Sequence, residues 1–318
     1  MSGFLDLRVV GVRDLTEHVR LFELVSADPR RALPPFTAGA HVIVALPSGL
    51  ERQYSLCNDP VDAGRYVIAV KREDAGRGGS REMHRALAEG TQVRIRAPAN
   101  QFPLDDGASE ALLLAGGIGI TPILSMRRVL ARLGRPYRLI YLVRNRDEAA
   151  FVDELADDLA SGMAQLHVDD EAGGFFPVAD VLAAVKDGTH VYCCGPTPLM
   201  REVERAGGSA GIPSAALHFE WFTNAEQPTA QDRPFQVTLA QSGLSLEVAV
   251  GRSILEVVLE AGIDADYSCG EGTCGTCVVR LLEGEADHRD TVLTAGERDT
   301  HVAICRSRAR GAELTIDL

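Results

Sequence analysis

Four of the seven cysteines fall in the last fifty residues, and three of them lie in the nine-residue string CGEGTCGTC, residues 269 to 277. Four residues separate Cys269 from Cys274, two separate Cys274 from Cys277, and Cys305 follows at a distance. Thiolates at this spacing wrap one edge of a two-iron two-sulfur cluster. The loop that carries them must turn tightly, and Gly270, Gly272 and Gly275 permit positive φ and a close backbone approach. Amides in such a loop also donate to the cluster sulfurs and help hold its negative charge. Zinc is the rival ligand, but its sites come as a CxxC with a second CxxC or an HxxxH. A disulfide staple belongs to oxidising compartments. The opening MSGFLDLRVVGVRDL lacks the basic and apolar parts of a signal peptide, and no apolar run is long enough to cross a bilayer. The expected location is cytoplasmic, and the predicted metal ligands are Cys269, Cys274, Cys277 and Cys305.

The flanks of the loop agree. FQVTLAQSGLSLEVAVG alternates as two strands about a Ser-Gly turn, SILEVVLEAG has the period of a short helix ending at Gly262, and CVVRLLEGEA and HVAICRSRARGAELTIDL supply further strands. Residues 235–318 resemble a plant-type ferredoxin of the β-grasp fold. Upstream, TNAEQPTAQDRP is polar, holds two prolines and has no apolar period, so residues 226–234 are expected to be a linker.

Residues 105–225 alternate strands and helices, the pattern of an α/β doubly wound parallel sheet. EALLLAGGIGITPILSMRRVLARLG reads as strand, glycine turn and helix. YRLIYLVRN is a second strand, FVDELADDLASG a helix, AQLHVDD a third strand, and HVYCCGPTPLMREVERAGG strand, turn and helix. Gly116, Gly117 and Gly119 place backbone amides at a helix N-terminus where a pyrophosphate can sit. Pro122 stands where a GxGxxG fingerprint has its last glycine. Both GGIGITP and CCGPTPLM fall at the carboxyl ends of strands, where such sheets bind ligands.

Residues 1–104 hold short alternating segments, HVIVAL, YSLCN, RYVIAVKRE and TQVRIRAP, between Gly and Pro turns, as in an antiparallel β-barrel. Within it stands RQYSLCND. Arg52 has the charge for a phosphate, Tyr54 the face for an aromatic ring, and Ser55 a hydroxyl for a ring edge. GRGGSREMHRAL leads glycines into a helix whose first turn holds Ser80 and Arg81, a phosphate cradle.

The three pieces in this order resemble the phthalate dioxygenase reductase family, which includes vanillate demethylase reductases. RQYS matches the flavin signature of the wider ferredoxin-NADP reductase superfamily, and GGIGITP with CCGP matches its nucleotide half. The resemblance implies a multidomain chain: an FMN-binding barrel, an NAD-binding α/β domain and a [2Fe-2S] ferredoxin domain. It implies that Arg52, Gln53, Tyr54, Ser55, the strand Val70, Lys71 and Arg72, the loop Gly78, Gly79, Ser80 and Arg81, and Thr121 surround FMN. By the same resemblance Cys194, with Gly195 and Pro196, borders the nicotinamide, so Ser55, Thr121 and Cys194 are the candidate catalytic residues. Cys193 is assigned to the core and Cys57 to packing. An aromatic of HFEWF lies beside the flavin; Phe222 is the candidate, with the bulky Trp221 next to it. Where NADP-using relatives carry Ser and Arg, LHVDDE places Asp169 and Asp170, carboxylates that suit ribose hydroxyls and repel a phosphate, so NADH is the expected donor.

The implied activity is that of an oxygenase reductase. NADH releases electrons in pairs and a [2Fe-2S] cluster accepts them singly, so a flavin must stand between. The expected acceptor is a terminal oxygenase component, of Rieske type, acting on an aromatic compound. A haem-thiolate monooxygenase or another redox protein is the alternative acceptor. A net charge of −13 argues against nucleic-acid or membrane partners, and a monomer is expected. Acidic residues outnumber basic ones by 14 to 8 between Arg233 and Leu318, which suits either solubility or a basic docking partner. His41, His84 and His288 lack ligand spacing and are assigned structural roles.

Overall fold

The computed structural model describes residues 4–62, 64–74, 76, 78–105, 107–222, 232–267, 270, 272–273, 275–294 and 296–318. Cys269 and Cys274 lie outside the described residues. The chain divides into two compact units, Met1–Glu220 and Trp221–Leu318.

The first unit begins with strands β1 (Phe4–Asp14), β2 (Val19–Ser26), β3 (His41–Ala45), β4 (Glu51–Ser55), β5 (Tyr66–Lys71) and β6 (Gln92–Arg96), with helix α1 (Gly79–Ala86) between the last two. Their order in the sheet is β4-β3-β6-β1-β2-β5. Every pairing is antiparallel, and a bridge from Leu56 to Ile68 joins the two ends into a barrel. Strand alternation sorts the residues: in β6, Val93 and Ile95 turn inward while Gln92, Arg94 and Arg96 face out. Phe22, Leu24, Val42, Val44, Leu56 and Ile68 fill the interior, and Met83 plugs it from α1. Each such side chain contributes about 1.5–3 kcal/mol when fully buried.

The same unit continues with β7 (Glu110–Gly116), α2 (Ile120–Leu133), β8 (Tyr137–Val143), α3 (Ala156–Ser161), β9 (Ala164–Val168), α4 (Asp169–Ala172), α5 (Val178–Ala183), β10 (Thr189–Cys194), α6 (Thr197–Ser209) and β11 (Leu217–Glu220). The sheet is parallel, in the order β11-β10-β7-β8-β9. The chain runs outward from β7 to β9 and returns on the other side of β7 as β10. The reversal opens a crevice at the carboxyl ends of β7 and β10. The expected single helix in FVDELADDLASG is not formed. Phe151 takes a left-handed φ of 63°, Asp153–Leu155 make one 3-10 turn, and only Ala156–Ser161 are α-helical. Phe151 sets the left-handed entry to the segment, and Leu155, with φ −98° and ψ 3°, separates the 3-10 turn from the α-helix.

Helix α2, which begins at the glycine turn, is pinned to α3 by a buried ion pair. Arg127 donates to both carboxylate oxygens of Asp158, at 2.6 and 2.5 Å, and the Tyr137 hydroxyl donates to Asp158 at 2.9 Å.

The second unit contains β12 (Phe235–Leu239), β13 (Leu244–Val248), α7 (Ile254–Glu260), β14 (Val278–Glu283), β15 (Ala286–Asp287), β16 (His301–Ala303), β17 (Arg308–Ala309) and β18 (Glu313–Ile316). Its main sheet runs β13-β12-β18-β14-β16, with β12 and β18 parallel. Helix α7 starts in a Ser253–Glu256 capping box and buries Ile254, Leu255 and Val258 in the core. One helix on a mixed sheet is the expected β-grasp arrangement. Asp232, expected in the linker, is instead built into this unit. Its side chain is 1% exposed and grips Arg289 at 2.6 and 3.0 Å, while Arg289 also reaches Asp287. Composition marks such a residue as polar without revealing its buried partner.

Burial favours the neutral form of Asp158, but the hydrogen bonds from Arg127 and Tyr137 outweigh it and hold the carboxyl below its usual value. Asp158→Ala leaves Arg127 uncompensated and should cost about 3–5 kcal/mol in denaturant unfolding. The pair's contribution should be full above pH about 4 and fall away as pH drops through the lowered value. An Asp158→Ala chain with wild-type stability at pH 7 would contradict this account of the α2–α3 contact.

Candidate functional site

Strand β4 presents Arg52, Gln53, Tyr54 and Ser55 in succession, with Arg52 and Tyr54 alternating against Gln53 and Ser55. Tyr54 packs against the barrel core. Gly78 caps α1 with a φ of 91°, a conformation that favours glycine. A Cβ at Gly79 would meet the Arg52 side chain at 2.7 Å. Glycine there lets the guanidinium stem lie against the helix N-terminus, so a cation and free helix amides converge. The Ser80 hydroxyl accepts from the Glu73 amide at 3.0 Å and retains its own proton to donate. Arg81 is exposed beside it. The Gln53 side-chain oxygen is buried with no hydrogen-bond donor among the described residues. These residues fit a flavin mononucleotide: a cradle for its phosphate and an acceptor for a ring N–H.

The rest of the predicted flavin strand contributes in other ways. Val70 is buried, and its carbonyl is bonded to His84 Nε2 at 2.8 Å. Lys71 Nζ reaches Glu148 at 3.3 Å and Glu73 at 3.7 Å. Arg72 contacts His18 Nδ1 and Asp74 at 3.2 Å each.

Ser55 meets a residue that sequence reasoning missed. Its hydroxyl donates to Glu220 Oε2 at 3.0 Å in a buried contact between the barrel and the last residue of β11. Burial pushes the Glu220 carboxyl up to about 8, with the Ser55 hydrogen bond opposing it. The raised carboxyl favours the protonated form of Glu220 next to Ser55. HFEWF draws attention through its aromatics, although an acidic residue closing a strand of a largely buried sheet was the available signal. Glu220 pairs in register with Cys194 on β10. Cys193 and Cys194 are both fully buried and both thiols are pushed up, first by burial; Cys194 also feels Glu220. Phe222 falls beyond the Glu220/Trp221 division, in the other unit.

The glycines of the two nucleotide turns divide by role. A Cβ at Gly119 would lie 2.2 Å from the Cys194 carbonyl oxygen, and one at Gly116 would lie 2.6 Å from Pro196 and 3.2 Å from Gly195. These glycines let the two turns pack backbone to backbone. Gly117, with a φ of 53° and open space where a Cβ would be, is the one turned outward. The Thr121 hydroxyl donates to the Ile118 carbonyl at 3.0 Å and braces the same turn. Asp169 opens α4 immediately after β9, with Oδ1 3.3 Å from His167 Nε2. Nearby in the chain, Phe175 is 91% exposed.

In the second unit Cys277 and Cys305 are both buried. The β14–β16 register, Val278 opposite Ala303, brings their neighbouring segments together, and Ile304 N donates to the Cys277 carbonyl at 3.2 Å. Gly270, Gly272 and Gly275 take φ of 65°, 72° and 77°. The Gly272 amide donates to Cys305 Sγ at 3.2 Å. A soft donor stabilised by an amide, in a loop of left-handed glycines, fits an iron-sulfur ligand.

The iron-sulfur assignment has independent support. Residues 237–310 match the family model of the 2Fe-2S iron-sulfur cluster binding domain, and residues 91–217 match that of the dimethylamine monooxygenase subunit DmmA-like N-terminal domain. The chain is 45% identical to phthalate dioxygenase reductase of Burkholderia cepacia over 100% of its own length and 98% of the relative's. The chain belongs to the phthalate dioxygenase reductase family. A solved phthalate dioxygenase reductase, described as a modular structure for electron transfer from pyridine nucleotides to [2Fe-2S], superposes with a TM-score of 0.79 at 45% identity, covering 99% of this chain and 98% of that one. An intact type IV self-sufficient cytochrome P450 monooxygenase matches with a TM-score of 0.81 at 37% identity, over 99% of this chain and 41% of that one. The family and the three-part fold class expected from the motifs are borne out, and the chain is a flavin and iron-sulfur oxidoreductase. No helix among the described residues is long and apolar enough to cross a membrane.

The raised carboxyl of Glu220 has a stability signature. Its proton is kept in the folded state but lost from the unfolded chain above about pH 4, so stability falls as pH rises from about 4 to 8. Glu220→Gln removes that slope while keeping a hydrogen-bonding side chain. Thermal melts across this range should show the variant gaining on wild type toward pH 8, and parallel profiles would refute a neutral Glu220. Glu220→Ala should slow reduction of the bound flavin by NADH on the order of ten- to a hundred-fold.

Proposed function

We propose that the chain is the reductase component of a multicomponent oxygenase. It takes electrons from NADH at FMN and passes them singly through a [2Fe-2S] cluster to a terminal, Rieske-type oxygenase or demethylase that acts on an aromatic compound. The observation that carries this reading is the Ser55–Glu220 contact. It ties the flavin-signature strand to the strand that neighbours Cys194, so the two halves of the first unit share a buried polar contact there. Flavin supplies the conversion between paired and single electrons.

The chain's own residues bind and orient. Arg52, Ser80, Arg81 and the α1 amides hold the phosphate, and Gln53 accepts from the ring. Gly117 and the first amides of α2 receive the dinucleotide pyrophosphate, Asp169 accepts from the ribose, and Phe175 offers an open face to the adenine. Cys194 and Thr121 form the wall on which the nicotinamide rests, and Glu220 holds a proton at Ser55. Cys269, Cys274, Cys277 and Cys305 hold the cluster. The chain works in the cytoplasm as a monomer. A haem-containing acceptor is the second reading, favoured by the full-length likeness to part of a self-sufficient cytochrome P450 monooxygenase.

Flavin extracted from the purified chain should be FMN, about one per polypeptide, because the phosphate cradle lies within the barrel domain; recovery of FAD would refute the assignment. Cys277→Ser should lose iron, since an alcohol replaces a soft thiolate. Its flavin should still bleach with NADH and still reduce small acceptors. Transfer to cytochrome c should fall by at least about ten-fold, and wild-type transfer from an iron-free variant would remove the cluster from the electron path.

A further inference from the structure

Strands β8 and β9 lie side by side and parallel, with Val143 opposite Val168, so the loops at their carboxyl ends are neighbours. The Asp170 amide donates to the Arg144 carbonyl at 3.0 Å and stitches those loops together. Across the seam Arg146, in the turn after β8, donates through Nε and Nη2 to the two carboxylate oxygens of Glu171, at 2.7 and 2.6 Å. Glu171 belongs to the same short helix as Asp169 and Asp170.

This bidentate pair does little for stability. Arg146 is 61% exposed and Glu171 53% exposed, and solvent-facing pairs of this kind contribute little. Its geometry is nonetheless well made: the two donors engaged by Glu171 are the fork with which arginine grips a carboxylate or a phosphate. A guanidinium at the carboxyl end of β8, next to the ribose-binding end of β9, is the group a 2′-phosphate on that ribose would seek. The structure gives this guanidinium to a carboxylate.

We propose that Glu171 determines cofactor specificity by acting through Arg146. While it occupies the Nε–Nη2 fork, a 2′-phosphorylated dinucleotide finds three carboxylates and an arginine already neutralised by one of them, whereas an unphosphorylated ribose needs only an acceptor such as Asp169. Discrimination against the phosphate therefore comes from an internal ion pair as well as from the repulsion of Asp169 and Asp170. The inference rests on the assignment of the β9 end to the adenosine ribose.

Steady-state kinetics of the holoenzyme with NADH and NADPH test it, with competition by 2′-AMP and 5′-AMP as a readout of binding alone. Glu171→Gln should raise the ratio of kcat/KM for NADPH to that for NADH by about two- to five-fold, mainly through KM, and should tighten 2′-AMP relative to 5′-AMP, since a charge-assisted bidentate contact becomes available. The gain should vanish in the Arg146→Ala, Glu171→Gln double variant. An unchanged ratio in Glu171→Gln overturns the inference, as does a gain that survives loss of Arg146. Asp169→Asn separates this failure from that of the underlying site. If it weakens NADH while Glu171→Gln is silent, the ribose site stands and the shielding role falls; if both are silent, the ribose site falls with it.

Discussion

The first unit depends on how firmly the segment after the RQYS strand is held by α2. The Ser125 hydroxyl donates to the Asn58 carbonyl at 2.9 Å, Arg128 donates to the Cys57 carbonyl and pairs with Glu154, and Arg132 reaches Asp59 at 3.0 Å. Lys71 and Glu148 add a link from β5 to the turn after β8. An exposed pair contributes about 0–1 kcal/mol and a hydrogen bond about 0.5–1.5. No single contact dominates, but the Ser125–Asn58 bond is buried and the ion pairs around it close the seam from the solvent side. The strand that carries Ser55 and the helix that starts at the glycine turn are thereby fixed with respect to each other, which makes the Ser55–Glu220 hydrogen bond geometrically possible.

That fixity gives the glycine motifs a second meaning. GGIGITP and CCGP look like two independent phosphate-binding turns, yet Gly119 sits against the Cys194 carbonyl and Gly116 against Gly195 and Pro196. Their side-chain-free surfaces bring the carboxyl ends of β7 and β10 together at the topological switch point. Of the glycines in these two turns, only Gly117 has open space where a Cβ would be. The motif is therefore partly a packing device, and the binding crevice follows from the packing.

Features set by local spacing were legible in the sequence. The cysteine intervals, the Gly-rich entry to α1, the alternation in β6 and the capped helix α7 each depend on residues a few positions apart. Features set by register between distant segments were not. Ser55 and Glu220 are separated by 165 positions, and nothing near either residue announces the other. Asp232 looks like any linker acid until Arg289 is placed beside it, and the Arg146–Glu171 pair needs β8 and β9 side by side. The turn at Phe151–Leu155 escaped for a different reason: the residues around it favour a helix, and nothing in their spacing marks the left-handed φ of Phe151.

Seven cysteines in a chain that carries an iron-sulfur domain pose a problem of selectivity. The thiolate, not the thiol, is the competent ligand. Cys57 is fully buried and donates to the Val67 carbonyl at 3.3 Å, and burial pushes its thiol up to about 12. Burial pushes Cys193 and Cys194 in the same direction. The vicinal pair would otherwise be an attractive soft site in the nucleotide crevice. Cys305 is buried as well, but the Gly272 amide points its N–H at the sulfur, a donor that suits a thiolate ligand. Burial without such a donor disfavours a bare sulfur anion at Cys57, Cys193 and Cys194, the three cysteines of the first unit.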